Sequence, residues 1–542
     1  MTAPRAPRPR SATLASASAS ALGALGALGG VVPLATAAAV FAIVIALTSS
    51  GPAGVFWDDG VYLISARSLA AGEGYRFAHL PGAPSAVHFP PGWPALLAVV
   101  WAIVPDFPRN LEIFRLLNPL LISAAAGLAC AHGIRQLGLT PALSAAASGF
   151  FALTLPVLVL TSVLFAEPLF LCVLIVALML ADRATAHGGA RLALVAGAVA
   201  GLAALVRSTG LVLVPALVLS LLISRRFRDA AIAAGTAAAV LLPWQWWSAS
   251  HTADLAEPLR GSYGPYLPWL ADAVREQGVP FLASIAAQNM ASMQRTLAVV
   301  FFPVGVREVR PLLVAIICVV AVLGLAVAWQ RARTLVLFLG AYALLVAIWP
   351  YAPDRFAWAV WPLAGLVLGA GTHAAWRVAR WTPFALATRL AAGTVVAVAA
   401  LALGGSVFYS ARGVSRGWVD IAQRRNAARL GPVVDWVQRH TPMSAVIACD
   451  GEPYVHLYTG RRVVPVHVLS PDEYLAGTPI EQAATDLRAL LRSGRADFAV
   501  LSAGAGEIAA ATLLADGPEF PRLIPLDTLP GGGVAYRVLH AP

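Results

Sequence analysis

The sequence predicts an α-helical polytopic membrane protein with about 11 transmembrane helices, or up to roughly 13, followed by a small C-terminal extracytoplasmic α/β domain. Three observations predict this class. Of the 542 residues, 59% are hydrophobic and only 12% charged, and the mean hydropathy of +0.74 lies far outside the soluble range. Apolar runs of spanning length recur between residues 31 and 410. Beyond about residue 411 they cease, and a stretch of about 130 residues with alternating helix-like and strand-like patterns begins, the size of one domain.

Charge and cysteine content narrow the function class. The net charge of +11 comes from arginine alone, since the chain has no lysine. The arginines stand in small patches between apolar runs, too scattered for a nucleic-acid surface, so no nucleic-acid partner is expected. Cys130, Cys172, Cys318 and Cys449 have no spacing that suggests a metal site or a disulfide framework.

Residues 1–30 carry Arg5, Arg8 and Arg10 and then an Ala/Ser/Gly-rich tract. That composition cannot bury a core and reads as a disordered cytoplasmic tail. The run from Val31 to Thr48 is longer than a signal-peptide core and reads as the first uncleaved span. Residues 57–113 form the first external loop with juxtamembrane helices. Within it, Asp58 and Asp59 precede Tyr62, Leu63, Ala66, Leu69 and Ala70 at helical spacing, which predicts a short amphipathic helix on the membrane surface.

Further spans are expected at 114–134, 142–163, 168–181, 192–206, 209–224, 230–247, 311–329, 334–350, 356–375 and 387–409. The stretches WPALLAVVWAIVP and TLAVVFFPVG are extra spans or shallow re-entrant pieces. With the N-terminus in the cytoplasm and those two stretches not crossing, the cytoplasmic side receives Arg5, Arg8, Arg10, Arg135, Arg183, Arg191, Arg225, Arg226, Arg228, Arg331, Arg333, Arg377, Arg380 and Arg389, with Asp182 and Asp229 nearly the only acids there. The opposite loops hold Asp58, Asp59, Glu73, Asp106, Glu112 and Glu167 among others, the asymmetry of the positive-inside rule. This predicts a multi-pass protein of the plasma (inner) membrane with residues 411–542 outside the cytoplasm. In that last domain, SAVIAC, RRVVPVHVL, DFAVLS and VAYRVL read as strands, and 424–439 and 480–493 as helices. Asp450, Glu452 and His456 read as ordinary loop residues after the first strand.

Candidate chemistry gathers at the predicted outer boundary. Asp58 and Asp59 open the loop helix; one of them serving only as its cap is the competing explanation. Glu167 precedes a helix-starting proline. Arg207 lies in a tight turn between two spans, and Arg355 follows Asp354 where a late span begins. Arginine at outer ends opposes the charge bias, which points to an anionic partner such as a lipid phosphate, or to interfacial snorkelling. His88 precedes Phe89, Pro90, Pro91 and Gly92; the prolines fix a turn, and the histidine is a candidate for phosphate or metal contact.

The order of these pieces, D-D-G-x-Y from Asp58, P-P-G-W-P from Pro90, A-E-P around Glu167, R-S-T-G from Arg207 and D-R-F around Arg355, resembles the bacterial GT-C superfamily of integral-membrane glycosyltransferases. That group includes protein O-mannosyltransferases and the aminoarabinose transferase that modifies lipid A. The resemblance covers residues 31–410. It implies a polyprenyl-phosphate sugar as donor and a glycan, lipid or protein as acceptor. It further implies a leading loop carboxylate that activates the acceptor, here Asp58, with Asp59 where Glu is more usual. Glu167 matches the acid of the second external loop, and Arg207 and Arg355 match positions near the donor phosphate. A lysine stands before the two prolines in some members; Phe89 stands here, leaving phosphate contact from this loop to His88. A divalent cation at Asp59 and Glu167 remains an alternative to arginine alone for stabilising the departing phosphate. A single carboxylate base suits inversion at the anomeric carbon. The rival class is a polytopic transporter or lipid flippase, which would place ionisable groups at the midplane on broken helices and show repeats; a sensor or assembly protein is a third class.

The topology is open to a direct test. A reporter that is active only outside the cytoplasm, fused after Arg412, is expected to be active. Activity of a cytoplasm-only reporter at that point overturns the orientation.

Overall fold

A computed structural model describes residues 30–48, 51–305, 307–380, 385–502 and 504–542. The tail expected over residues 1–30 therefore lies, except for Gly30, outside the described residues. Helices fall on every apolar stretch named above: α1 (Val31–Leu47), α2 (Trp57–Ala70), α3 (Gly92–Ile103), α4 (Leu111–His132), α5 (Pro141–Ala152), α6 (Leu155–Ser162), α7 (Glu167–His187), α8 (Ala190–Val206), α9 (Leu213–Ile223) and α10 (Phe227–His251). After α11 (Arg260–Tyr263), α12 (Tyr266–Gln277) and α13 (Val279–Phe301) come α14 (Arg310–Trp329), α15 (Arg333–Ile348), α16 (Asp354–Ala359), α17 (Trp361–Arg380) and α18 (Leu386–Ser415).

Among the described residues, 4 helices are long and apolar enough to cross a membrane, or up to 5 if the bent pair α5 and α6 forms one span. The other apolar helices are shorter or more polar: a helix like α1, with 17 residues, is roughly 26 Å long against a hydrocarbon core of about 30 Å. The run expected as one span over 142–163 is two helices meeting at 56°. Thr154 and Pro156 restart the chain there, because proline is suited to a first helical turn and unsuited to a helix interior. The stretch WPALLAVVWAIVP is the short helix α3, and TLAVVFFPVG is divided between the end of α13 and the loop after it.

The C-terminal region opens with α19 (Ile421–His440) and alternates β1 (Val446–Cys449), α20 (Glu452–Thr459), β2 (Arg462–Val464), α21 (Glu473–Ala476), α22 (Ile480–Gly494), β3 (Phe498–Leu501), α23 (Ala505–Asp516), β4 (Arg522–Thr528) and β5 (Val534–Leu539). The sheet order is β2-β1-β3-β5-β4. β1 pairs in parallel with β2 and β3, while β5 runs antiparallel to β3 and β4. β1 and β3 are almost wholly buried, which explains their unbroken apolar sequences. The edge strand β4 contains Pro525 and is largely exposed, so neither alternation nor hydrophobicity marks it in the sequence.

The helix α2 is not the surface helix its spacing predicts. Asp59 to Ala66 and Ser68 are buried, Trp57, Asp58 and Leu69 are half-buried, and only Arg67 and Ala70 are exposed. α3 lies along it, with Trp101 Nε1 donating to Leu63 O at 3.1 Å, and α20 of the C-terminal region covers its start. Contact there is close: a Cβ on Gly60 would stand 2.6 Å from Pro453 Cβ. In a free helix, Gly60→Ala would gain about 1 kcal/mol of helix propensity. Here the overlap has the opposite sign, since crowding a packed site costs about 1–3 kcal/mol. Gly60→Ala is expected to lower the thermal midpoint of the purified protein, and a midpoint that rises instead would show that α20 does not press on α2.

Candidate active site

Four charged side chains that are far apart in the sequence meet at one end of the helix bundle. Asp58 is in the first turn of α2. Glu167 begins α7, where Pro168 fits the first turn and the helix N-terminus favours a carboxylate. Arg207 ends α8 and precedes a 3-10 turn over Ser208–Val212. Arg355 lies in the one-and-a-half turns of α16, after Pro353 has stopped the preceding loop. The P-P-G piece packs against the same place: Gly92 sits so close to the end of α8 that a Cβ would stand 2.7 Å from Leu205 O.

Arg355 bridges the two acids. Its Nη1 donates to Asp58 Oδ2 at 2.5 Å, and its Nε donates to Glu167 Oε1. Arg207 Nη1 meets the same Glu167 Oε1 at 2.6 Å. The Glu167 side chain is only 2% exposed, against 24% for Asp58, 29% for Arg355 and 11% for Arg207. Aromatic rings back both cations: Arg355 lies 3.7 Å from the Phe165 ring centre and Arg207 5.0 Å from that of Phe356. Two acids and two bases cancel in charge. Hydrogen-bonding capacity is left over, however, because Arg207 Nε, Arg355 Nη2 and Glu167 Oε2 are buried without a partner.

Two other candidates are placed differently. Asp59 is fully buried, and its carboxylate accepts from Gly54 N at 2.6 Å and Phe56 N at 2.8 Å. It is Asp59, not Asp58, that closes the start of α2. Burial pushes its carboxyl up to about 7, against the opposing pull of the backbone N–H groups of Gly54, Phe56 and Gly60. His88 is buried; its Nδ1–H donates to Gly264 O at 2.7 Å, and its ring stacks edge-on to Trp57 with centres 5.4 Å apart. Burial lowers its pKa to about 4, so at neutral pH it is an uncharged member of an aromatic wall and not a cation for phosphate. A divalent cation at Asp59 and Glu167 also does not fit. Both Asp59 oxygens accept backbone N–H groups and Glu167 Oε1 accepts two arginines, and among the described residues no three His, Cys, Asp or Glu side chains converge as a metal group requires.

The sequence reading missed the aromatic partners, although both are next to its motifs: Phe165 two residues before Glu167, and Phe356 directly after Arg355. It also set Glu452 aside as a loop residue. Glu452 begins α20 and is buried, and its Oε1 accepts from Trp57 Nε1 at 2.7 Å and from Tyr263 OH at 2.7 Å. A cavity of about 190 Å³ lies behind Asp59, lined in part by Arg115 and Gln423.

No family model matches this sequence, and no curated protein does either. Solved structures do match. The crystal structure of ArnT from Cupriavidus metallidurans in the apo state aligns over 95% of this chain and 98% of its own, with a TM-score of 0.50 and 15% identity. The crystal structure of the same protein bound to undecaprenyl phosphate aligns over 93% of this chain and 97% of its own, with a TM-score of 0.48 and 15% identity. The apo likeness establishes the fold: almost the whole chain, C-terminal region included, follows the architecture of ArnT, the fold that the resemblance to the GT-C glycosyltransferases implies.

The ion network predicts unequal costs. Glu167→Gln leaves the half-buried Arg207 and Arg355 facing a neutral amide where the buried carboxylate was, and breaking a pair on its buried side costs up to about 3–5 kcal/mol. Asp58→Asn removes a partly exposed partner while Arg355 keeps Glu167, so its cost is about 1 kcal/mol, near the surface limit. Thermal denaturation of the two variants is expected to rank Glu167→Gln well below Asp58→Asn, and equal midpoints would contradict the network.

Proposed function

We propose that this protein is an integral-membrane glycosyltransferase of the GT-C type that moves a sugar from a polyprenyl-phosphate donor to an extracytoplasmic glycan, lipid or protein acceptor, with inversion. The observation that carries the proposal is the meeting of Asp58, Glu167, Arg207 and Arg355. Four short motifs, each weak alone, supply one charged cluster in a fold shared with ArnT. The donor class follows from the resemblance of those motifs and from the chemistry of the two arginines.

In this mechanism an acceptor hydroxyl or amine attacks the anomeric carbon on the face opposite the lipid phosphate. A new bond forms from the acceptor oxygen or nitrogen to the sugar. The bond from the sugar to the phosphate oxygen breaks, and its electron pair leaves with the lipid phosphate. Asp58 takes the acceptor's proton, the task of a positioned carboxylate. Arg207 Nε and Arg355 Nη2, buried without a partner, are free to donate to phosphate oxygens once the donor draws the arginines toward it, and charge-assisted bonds from arginine strengthen as the leaving group gains charge. Arg355 links the two halves of this scheme. A phosphate that draws Arg355 away from Asp58 frees the carboxylate to act as base, so a filled donor site prepares the proton acceptor. Glu167 holds both arginines throughout and takes no proton. No metal is required by this route.

The test is to incubate purified protein with a panel of polyprenyl-phosphate sugars and measure release of free lipid phosphate. Asp58→Asn is expected to lower turnover by about 100-fold or more, the usual contribution of a general base, while the protein stays folded. Normal turnover in that variant moves the base elsewhere, and no release from any donor in the parent overturns the reading.

A further inference from the structure

A second polar network lies at the junction of the C-terminal region with the first loop, one residue from Asp58. Trp57 begins α2 directly before Asp58, and its indole N–H ends on Glu452 Oε1 at 2.7 Å. Tyr263, at the end of α11, is fully buried and donates its hydroxyl to the same oxygen at 2.7 Å. Because that hydroxyl is used as a donor, its oxygen accepts from His79 Nε2 at 2.9 Å. His79 comes from the middle of the first loop and is itself fully buried. One carboxylate oxygen of α20 thus gathers the start of α2, the end of α11 and the loop around residue 79.

The network continues into the wall of the proposed site. The Trp57 ring lies 5.1 Å from Tyr263, 5.4 Å from His88 and 5.8 Å from Phe89, centre to centre. His88 and Phe89 both pack on Tyr266, at 4.2 and 6.4 Å. Trp57 thus touches Tyr263, His88 and Phe89 directly and Tyr266 through the last two, and its backbone is joined by one peptide bond to Asp58. Burial raises the Glu452 carboxyl, and the two donors on it pull the other way.

We infer that Glu452 is a positioning residue: the C-terminal region acts on the reaction by anchoring Trp57, and through it the Asp58 carboxylate, with a hydrogen-bond acceptor on α20. This inference rests on the proposed function and deepens it, because it gives the soluble region a task at the reacting end of the bundle. What the network needs from Glu452 is an oxygen that accepts two hydrogen bonds, which an amide also provides; a charge is not needed.

The experiment compares Glu452→Gln with Glu452→Leu in the full chain, using two readouts. The first is amide hydrogen exchange in the peptide covering residues 54–66. The second is the kcat and KM of sugar transfer, with donor affinity measured separately. Glu452→Leu strands the Trp57 and Tyr263 donors, so exchange at the start of α2 is expected to quicken. kcat should then fall by about 10- to 100-fold, the effect of a small displacement of a reacting group, with donor affinity within about twofold of the parent because Arg207 and Arg355 are untouched. Glu452→Gln is expected to restore both the exchange rate and kcat. A kcat of Glu452→Leu equal to the parent's, counted per folded molecule, overturns the inference. So does a Gln variant as slow as the Leu variant. A parent that transfers no sugar defeats the proposed function instead; the exchange readout then still decides the anchoring, since an unchanged rate at residues 57–60 of Glu452→Leu would end it.

Discussion

Glu167 is the constraint on which the rest of the site depends. Two arginines are drawn into an apolar bundle end, where isolated charges lose several kcal/mol of hydration each. One nearly inaccessible carboxylate oxygen receives both of them. The helices α7, α8 and α16, which carry or end on Glu167, Arg207 and Arg355, are thereby tied at this end. Asp58 enters the arrangement through Arg355 alone and is the more exposed of the two acids. That difference in exposure matches the proposed division of labour, in which the buried acid holds the arginines and the accessible acid takes the proton.

How much of this was legible in the sequence depended on what each residue's neighbours disclosed. The helices were legible because long apolar runs need no partner to be recognised, but which of them cross a membrane was not, since only 4 of the described helices, or up to 5 with the bent pair, are long and apolar enough. Arg207 and Arg355 stood out because arginine at an outer helix end contradicts the charge bias, and Glu167 because a proline followed it. Asp58 and Asp59 could not be separated. Adjacent positions on a helix point roughly 100° apart, and only the fold shows that Gly54 and Phe56 turn their N–H groups toward Asp59.

The failures share a cause. α2 reads as a surface helix because its polar residues look solvent-directed, but the partners that bury it come from elsewhere in the chain. Glu452 reads as a loop acid because its two donors are 395 and 189 residues away. β4 escapes notice since an edge strand with a proline lacks the alternation of a half-buried one. The bend between α5 and α6 follows from local chemistry that was visible, Thr154 and Pro156, but the weight of hydrophobicity on both sides hid it.

The separation of Trp57 from Glu452 also sets a timetable. A ribosome adding roughly 5–20 residues per second needs roughly 20–80 s to travel the interval between them. For that time the start of α2 is already made while the helix that covers it does not exist. Assembly at this end of the molecule is accordingly sequential. The bundle must hold Asp58 near Arg355 without help until α20 arrives, and a nascent chain released between residues 355 and 452 carries all four charged residues of the site but not the anchor for Trp57.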